Sequence, residues 1–304
     1  MSRPTAVVSF HLNPYTCGVA RFNVALAGAL GVPVDGFESL TSSTGHPLLS
    51  IKTSEVDPAG LASLHRLAES GRPFDVLLHG WTATPLEETL VRRASRAFGA
   101  SVEIATGIRS VRGDVVAAFA PGAPVVDAQP AADVRLMTFG MAHKIDAARY
   151  ATLGRLVRDD GRSFRLEVST AIHEGSAFDE SMFAVSGDVA AAFGGDVAFL
   201  GFLADGEISR RLRQCDALVA FFPSGVRENN TTVMSAMAHG CPVITNVDDR
   251  SPTFMRHQET IFDVQRLAQF PSAQDLLRVG AAARAAVAPM DFAALARLLR
   301  VEAK

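Results

Sequence analysis

The chain is poor in cysteine, in long apolar runs and in surplus charge, and each shortage closes off a class of protein. Cys17, Cys215 and Cys241 are the three cysteines in 304 residues. They are odd in number, far apart and free of Cys-x-x-Cys spacing, which argues against a disulfide framework or a zinc knuckle and fits a reducing compartment. The formal net charge is −3, so the chain offers no basic field for nucleic acid, and none is expected as a partner. No apolar run approaches the roughly 18 residues that a spanning helix needs, and the polar start Met1 to Thr5 does not read as a signal peptide. The expected location is cytoplasmic. Peripheral attachment at the inner membrane face stays open, although no strongly basic amphipathic helix argues for it.

Motifs are missing as well. Without Gly-x-Gly-x-x-Gly, a Walker loop or a Gly-x-Ser-x-Gly elbow, dehydrogenase, nucleoside triphosphatase and α/β-hydrolase readings lose ground. No His-x-x-x-His or Asp-x-Asp spacing occurs, so neither a metal site nor a metal cofactor is expected.

What is present is a globular balance, 48% hydrophobic and 20% charged, in a length that favours two domains. Short β-rich runs alternate with helical patterns, the signature of βαβ units and parallel sheets. In the first half, strands are expected at Thr5 to His11, Val32 to Phe37, Phe74 to His79 and Ser101 to Ala105. Helices are expected at Gly18 to Leu30 and Pro85 to Phe98, the latter capped by Thr84. Pro121 to Ala132, rich in Pro, Gly and Ala, reads as a linker with its hinge near Gln129 and Pro130, dividing the chain into 1–130 and 131–304. The second half continues with strands Val134 to Phe139, Ser163 to Thr170, Val197 to Leu203, Ala217 to Phe222 and Cys241 to Asn246. Helices fall between them at Asp146 to Arg158, Glu180 to Phe193, Glu207 to Cys215 and Asn230 to His239. A helical tail from Ala273 to Glu302 is broken at Pro289, and the final helix is free to pack back on the first domain.

In open parallel sheets ligands bind beyond the carboxyl ends of strands, so the strand-to-helix turns carry the chemistry. The segment from Phe222 to Thr245 passes from strand through a polar loop into a helix. Asn230, Thr231 and Thr232 stand at its start, where free amides and the dipole suit a phosphate, and Arg227 could fork onto phosphate oxygens. The same residues also fit an ordinary helix cap. Gly18 either lets backbone amides approach a sugar or phosphate or only starts a helix, and Arg21 follows one turn later. His11, His79 and Trp81 stand at or beyond strand ends, where a cleft role and a core role compete. His173 and Glu174 sit at another strand end, as nucleotide contacts or as a surface turn. Lys144 follows the strand that begins at Val134, and a solvated lysine at a helix start is the alternative. His143 and His239 read as structural.

The stretches Val197-Ala-Phe-Leu-Gly-Phe-Leu203, Leu212-Arg-Gln-Cys-Asp-Ala-Leu-Val-Ala-Phe-Phe-Pro-Ser224 and Ala236-Met-Ala-His-Gly-Cys-Pro-Val-Ile-Thr245 resemble the donor domain of family-four glycosyltransferases. Val134-Arg-Leu-Met-Thr-Phe-Gly-Met-Ala-His-Lys144 resembles that domain's first strand, and Phe10 to Asn23 its amino-terminal glycine loop. The resemblance implies an α/β fold of two Rossmann-like parallel-sheet domains facing a cleft, called GT-B. It further implies retaining transfer of a sugar from a nucleotide-diphosphate sugar to the hydroxyl of a glycan, lipid-linked or small-molecule acceptor. The implied catalytic group is Lys144, Arg227, Glu228 and His79. The implied donor contacts are Gly18, Gly140, His173, Glu174, Asn229, Asn230, Thr231, Thr232 and Ser235, and the acceptor side holds His11, Arg21 and Trp81. The family's two loop glutamates, eight positions apart, fall here on Arg227, with Glu228 beside it, and on Ser235. That departure keeps two rivals in view: a silent nucleotide-sugar-binding relative, and a nucleotide-sugar 2-epimerase of the same architecture.

Overall fold

In the computed structural model, which describes residues 3–42, 45–99, 109–110, 132–141, 145–171, 181–194, 196–227 and 230–300, the short apolar runs become parallel strands in two separate sheets. The chain divides into two compact units, Met1–Ala117 with Met290–Lys304, and Ala118–Pro289. The linker expected at 121–132 lies almost wholly outside the described residues.

The N-terminal unit holds β1 (Ala6–Val8), β2 (Val34–Asp35), β3 (Pro47–Ile51), β4 (Asp75–Leu78), β5 (Arg96–Gly99) and β6 (Arg109–Ser110) in the order β2-β1-β3-β4-β5-β6. Its described pairs are all parallel. Both β3 and β4 are buried at every position, as strands covered on both faces must be, so they show no alternation of apolar and polar faces. One face packs on α3 (Pro58–Glu69) and α4 (Pro85–Arg93) through Leu64, Leu67, Leu86 and Leu90. The other packs on α1 (Gly18–Leu30) and α10 (Phe292–Arg300) through Phe22, Leu26, Leu30, Leu295 and Leu299. A short α2 (Ser39–Ser42) precedes β3.

One expectation changes here. The helix drawn from Pro85 through Phe98 stops at Arg93, and Arg96–Gly99 is a strand. Thr84 closes a capping box with Glu87 at the start, while Ala94 is already extended at ψ 145°. Leu86, Leu90, Ala94 and Phe98 share helical spacing, which extended the apparent period across the break. The strand expected at 101–105 lies outside the described residues.

The C-terminal unit holds β7 (Val134–Met141), β8 (Phe164–Ala171), β9 (Asp196–Gly201), β10 (Ala217–Ala220), β11 (Val243–Thr245) and β12 (Phe262–Asp263), ordered β12-β11-β10-β7-β8-β9. Around it lie α5 (Ala148–Asp160), α6 (Ser181–Phe193), α7 (Asp205–Leu212), α8 (Thr231–His239) and α9 (Ala273–Val287). Tyr150, Leu153, Phe193, Phe221, Phe262 and Val279 are core residues of this unit. The stretch Ala273–Arg297 is long and apolar enough by composition to cross a membrane. Its first half, α9, buries Leu276, Val279, Ala283 and Val287 in this core, and its last part belongs to α10, whose buried face closes the other unit.

In each sheet the order of strand addition reverses once. After β1 and β2 the N-terminal unit places β3 on the far side of β1, and after β7, β8 and β9 the C-terminal unit places β10 on the far side of β7. Loops diverge at such reversals and leave a crevice beyond the strand ends, where ligands of open α/β sheets bind. The loops after β1 and β3, and those after β7 and β10, are therefore the places to look.

Candidate functional site

At the C-terminal unit's reversal, α8 begins directly over the end of β7. Thr232 Oγ1 donates 3.1 Å to the Phe139 carbonyl, and a Cβ on Gly140, at φ +142°, would stand 3.4 Å from the Thr232 Oγ1. Asn230 is the N-cap, but its side chain makes no cap hydrogen bond to the helix. Its Oδ1 instead accepts 2.6 Å from the Arg227 amide. The first amides of α8 therefore lack a side-chain acceptor among the described residues and present the positive end of the helix.

The loop that delivers them is pinned from below. Asn246, buried at the end of β11, accepts 2.9 Å from the Phe222 amide and donates 2.8 Å to its carbonyl, and its own carbonyl accepts from Val226 at 3.0 Å. Arg227 is forked onto Asp248, Nη1 to Oδ1 and Nη2 to Oδ2 both at 2.7 Å. That guanidinium holds the Asp248 carboxyl at about 2, and the Ser251 hydroxyl adds to the effect. Gly225 makes the pairing possible: it lies at φ +74°, and a Cβ there would stand 2.8 Å from Asp248 Cγ. The fork expected to face phosphate is thus occupied by a carboxylate, at a partly exposed pair worth roughly 0–1 kcal/mol, cheap to exchange for another anion.

Ser235 lies on the inner face of α8 at 1% exposure, and its Oγ has no hydrogen-bond partner among the described residues. His239 is structural, as expected: Nδ1 meets the Ser235 carbonyl at 2.7 Å and Nε2 meets Ser209 Oγ at 2.8 Å. Lys144, His173, Glu174, Glu228 and Asn229 lie outside the described residues. The fold therefore brings together Gly140, Arg227, Asn230, Thr231 and Thr232, with Ser235 beneath them. Asn246 and Asp248 were missed, since a lone Asn and Asp after a strand carry no motif; their place just beyond β11 was the available signal.

In the N-terminal unit, Gly18 opens α1 with nothing within 4 Å of the place a Cβ would occupy. Arg21 Nε donates 3.2 Å to the Pro14 carbonyl, which fixes the loop before the helix. Trp81 is partly buried against the α3–α4 face. His79 faces the core instead of solvent: it is 6% exposed, its Nε2 is 2.8 Å from Ser50 Oγ, and its ring meets Phe22 edge-on at 4.6 Å. Burial lowers its pKa to about 4, Lys52 adding to the fall and Glu55 opposing it. A neutral, enclosed imidazole is the core reading of this residue. His11 lies beyond β1, with Nε2 3.7 Å from Glu55 Oε2. His11, Cys17 and Glu55 are the one group among the described residues that could hold a metal ion, a convergence that short-range spacing does not reveal.

No protein-family model and no curated protein matches the chain. Solved structures do. HepE of Anabaena, in complex with UDP and glucose, is 13% identical, with a TM-score of 0.68 over 97% of this chain and 98% of its own. The chain has the GT-B fold. Sucrose-phosphate synthase of Thermosynechococcus elongatus is 16% identical at a TM-score of 0.68, covering 98% and 97% of the two chains. A Listeria monocytogenes protein named for UDP-N-acetylglucosamine 2-epimerase is 10% identical at 0.57, covering 98% and 94%. At such identities the likeness is one of fold, and what this GT-B chain does rests on its own site.

Proposed function

We propose that this GT-B chain is a glycosyltransferase moving a sugar from a nucleotide-diphosphate sugar to an acceptor hydroxyl, with retention of configuration. The observation that carries the proposal is the start of α8, whose amides lack a side-chain acceptor among the described residues and stand beside Gly140 where the strand order reverses. Departure of the leaving group puts negative charge on the diphosphate. Donors aimed at that charge stabilise the transition state more than the ground state. In this reading the Thr231 and Thr232 amides and Arg227 bind the diphosphate, and Lys144 adds the second cation. The chain's own positive groups supply the charge that a metal would otherwise bring to the donor, so no metal cofactor is needed there. The N-terminal unit holds the acceptor, a glycan, lipid-linked or small molecule and not nucleic acid. The work is done in the cytoplasm, free or peripheral to the inner membrane face.

HepE was solved with UDP and glucose, which supports a uridine nucleotide as the first donor to try. The test is release of nucleoside diphosphate from a panel of nucleotide sugars. Arg227→Ala and Lys144→Ala should each cut turnover roughly 100-fold, and unchanged turnover in both would remove the mechanism.

One observation favours a second reading, the silent relative. Ser235, whose hydroxyl has no partner among the described residues, stands where the resemblance implies a glutamate that reaches the donor. Nucleotide binding without turnover of any nucleotide sugar would select that reading, and a C2-inverted sugar formed without acceptor would select an epimerase.

A further inference from the structure

Three ligating side chains of the N-terminal unit converge although the sequence scatters them. His11 follows β1, Cys17 is the N-cap residue of α1, and Glu55 ends the 3-10 turn after β3. The loops leaving β1 and β3 are the two that diverge where this sheet reverses its order, so the trio sits where an open sheet offers its crevice. One ligand atom from each, an imidazole nitrogen, the Cys17 Sγ and a Glu55 carboxylate oxygen, all lie within 4.8 Å of one another. We propose that His11, Cys17 and Glu55 form a binding site for a zinc-like divalent cation.

Geometry and chemistry agree on the class of ion. Zinc bonds of about 2.0 Å to nitrogen, 2.3 Å to sulfur and 2.0–2.2 Å to oxygen place the three tetrahedral ligand atoms about 3.3–3.7 Å apart. A nitrogen–oxygen pair falls at the short end of that span, about 3.3–3.5 Å; the 3.7 Å between His11 Nε2 and Glu55 Oε2 is within a few tenths of an ångström of it, and small side-chain rotations close the rest. A thiolate beside an imidazole selects zinc-like ions over magnesium and calcium, which prefer all-oxygen cages. Cys17 caps α1 without a side-chain hydrogen bond to the helix, at the end where the dipole favours an anionic ligand. Lys52 Nζ engages the Oε1 atom of Glu55, which leaves Oε2 toward His11 and orients the carboxylate, as outer-shell partners of metal ligands do. Three protein ligands leave a fourth position for an oxygen ligand, a water when nothing else is bound. Metal binding here does not depend on the donor site, so either can fail without the other.

Cobalt(II) titration of the metal-free full chain under reducing conditions tests the site, because a cobalt-thiolate bond gives a near-ultraviolet charge-transfer band. The proposal expects one cobalt per chain with that band, its loss in Cys17→Ser, and binding at least about 10-fold weaker in His11→Ala and Glu55→Gln. The other two thiols, Cys215 and Cys241, stand with their sulfurs 3.4 Å apart and are the competing soft site. The double variant Cys215→Ser/Cys241→Ser should therefore keep the band. Absence of the band in the native chain, its survival in Cys17→Ser, or its loss in the double variant would overturn the assignment. The native chain and the double variant decide the matter even if Cys17→Ser fails to fold.

Discussion

At the scale of single residues, the candidate donor loop depends on a few positions whose roles can be separated. Gly225→Ala places a side chain at φ +74° and 2.8 Å from Asp248 Cγ, so it should cost about 1–3 kcal/mol in urea unfolding and release Arg227 from its carboxylate. Gly18→Ala meets nothing within 4 Å and should leave stability within about 0.5 kcal/mol, so any loss of binding it causes reports on a ligand approaching that backbone. His79 gives a pH signature. The unfolded imidazole takes up a proton near 6.5, while the buried one does so only near 4. Between those values the unfolded state binds more protons, so stability rises with pH across that window, by roughly 3 kcal/mol at most. Denaturant unfolding at pH 4.5 and pH 7 should show this difference, and His79→Asn should flatten it.

At the scale of elements, α8 is set by its seat on β7 more than by its own cap. Thr232→Val deletes the bond to the Phe139 carbonyl and should cost about 1 kcal/mol, a loss readable as a lower melting temperature. Much of this level was legible in advance: the limits expected for α1 are those observed, and α8 begins one residue later than expected, with Asn230 as its cap. Legibility failed where local signals were short or ambiguous. The strand Pro47–Ile51 and the helix Pro58–Glu69 passed unassigned: five buried residues show no period, and the helical spacing of Leu61, Leu64, Leu67 and Ala68 behind the Asp57 cap went unread. That gap hid Glu55, and with it the His11, Cys17 and Glu55 cluster. Arg227 was picked out as a phosphate ligand, but its partner Asp248 lies on another strand's loop, a pairing that only the parallel register of β10 and β11 creates.

At the scale of the whole molecule, each unit reverses its strand order once, the place where open α/β sheets bind ligands, and α10 completes the N-terminal core. Leu295, Ala296 and Leu299 of α10 are buried against the α1 side of that core. A chain ending at Pro289 should therefore expose Phe22, Leu26 and Leu30 and aggregate or lose the N-terminal unit's unfolding transition. The central claim is that the C-terminal unit carries a working site for a nucleoside diphosphate, and thermal unfolding against UDP, GDP, ADP, TDP and CMP tests it most directly. A ligand that binds the native state alone raises its stability by about 2.7 kcal/mol at 100 times its dissociation constant. The account predicts a rise with one diphosphate, strongly reduced in Arg227→Ala and in Lys144→Ala; a folded protein unmoved by all five nucleotides would contradict it.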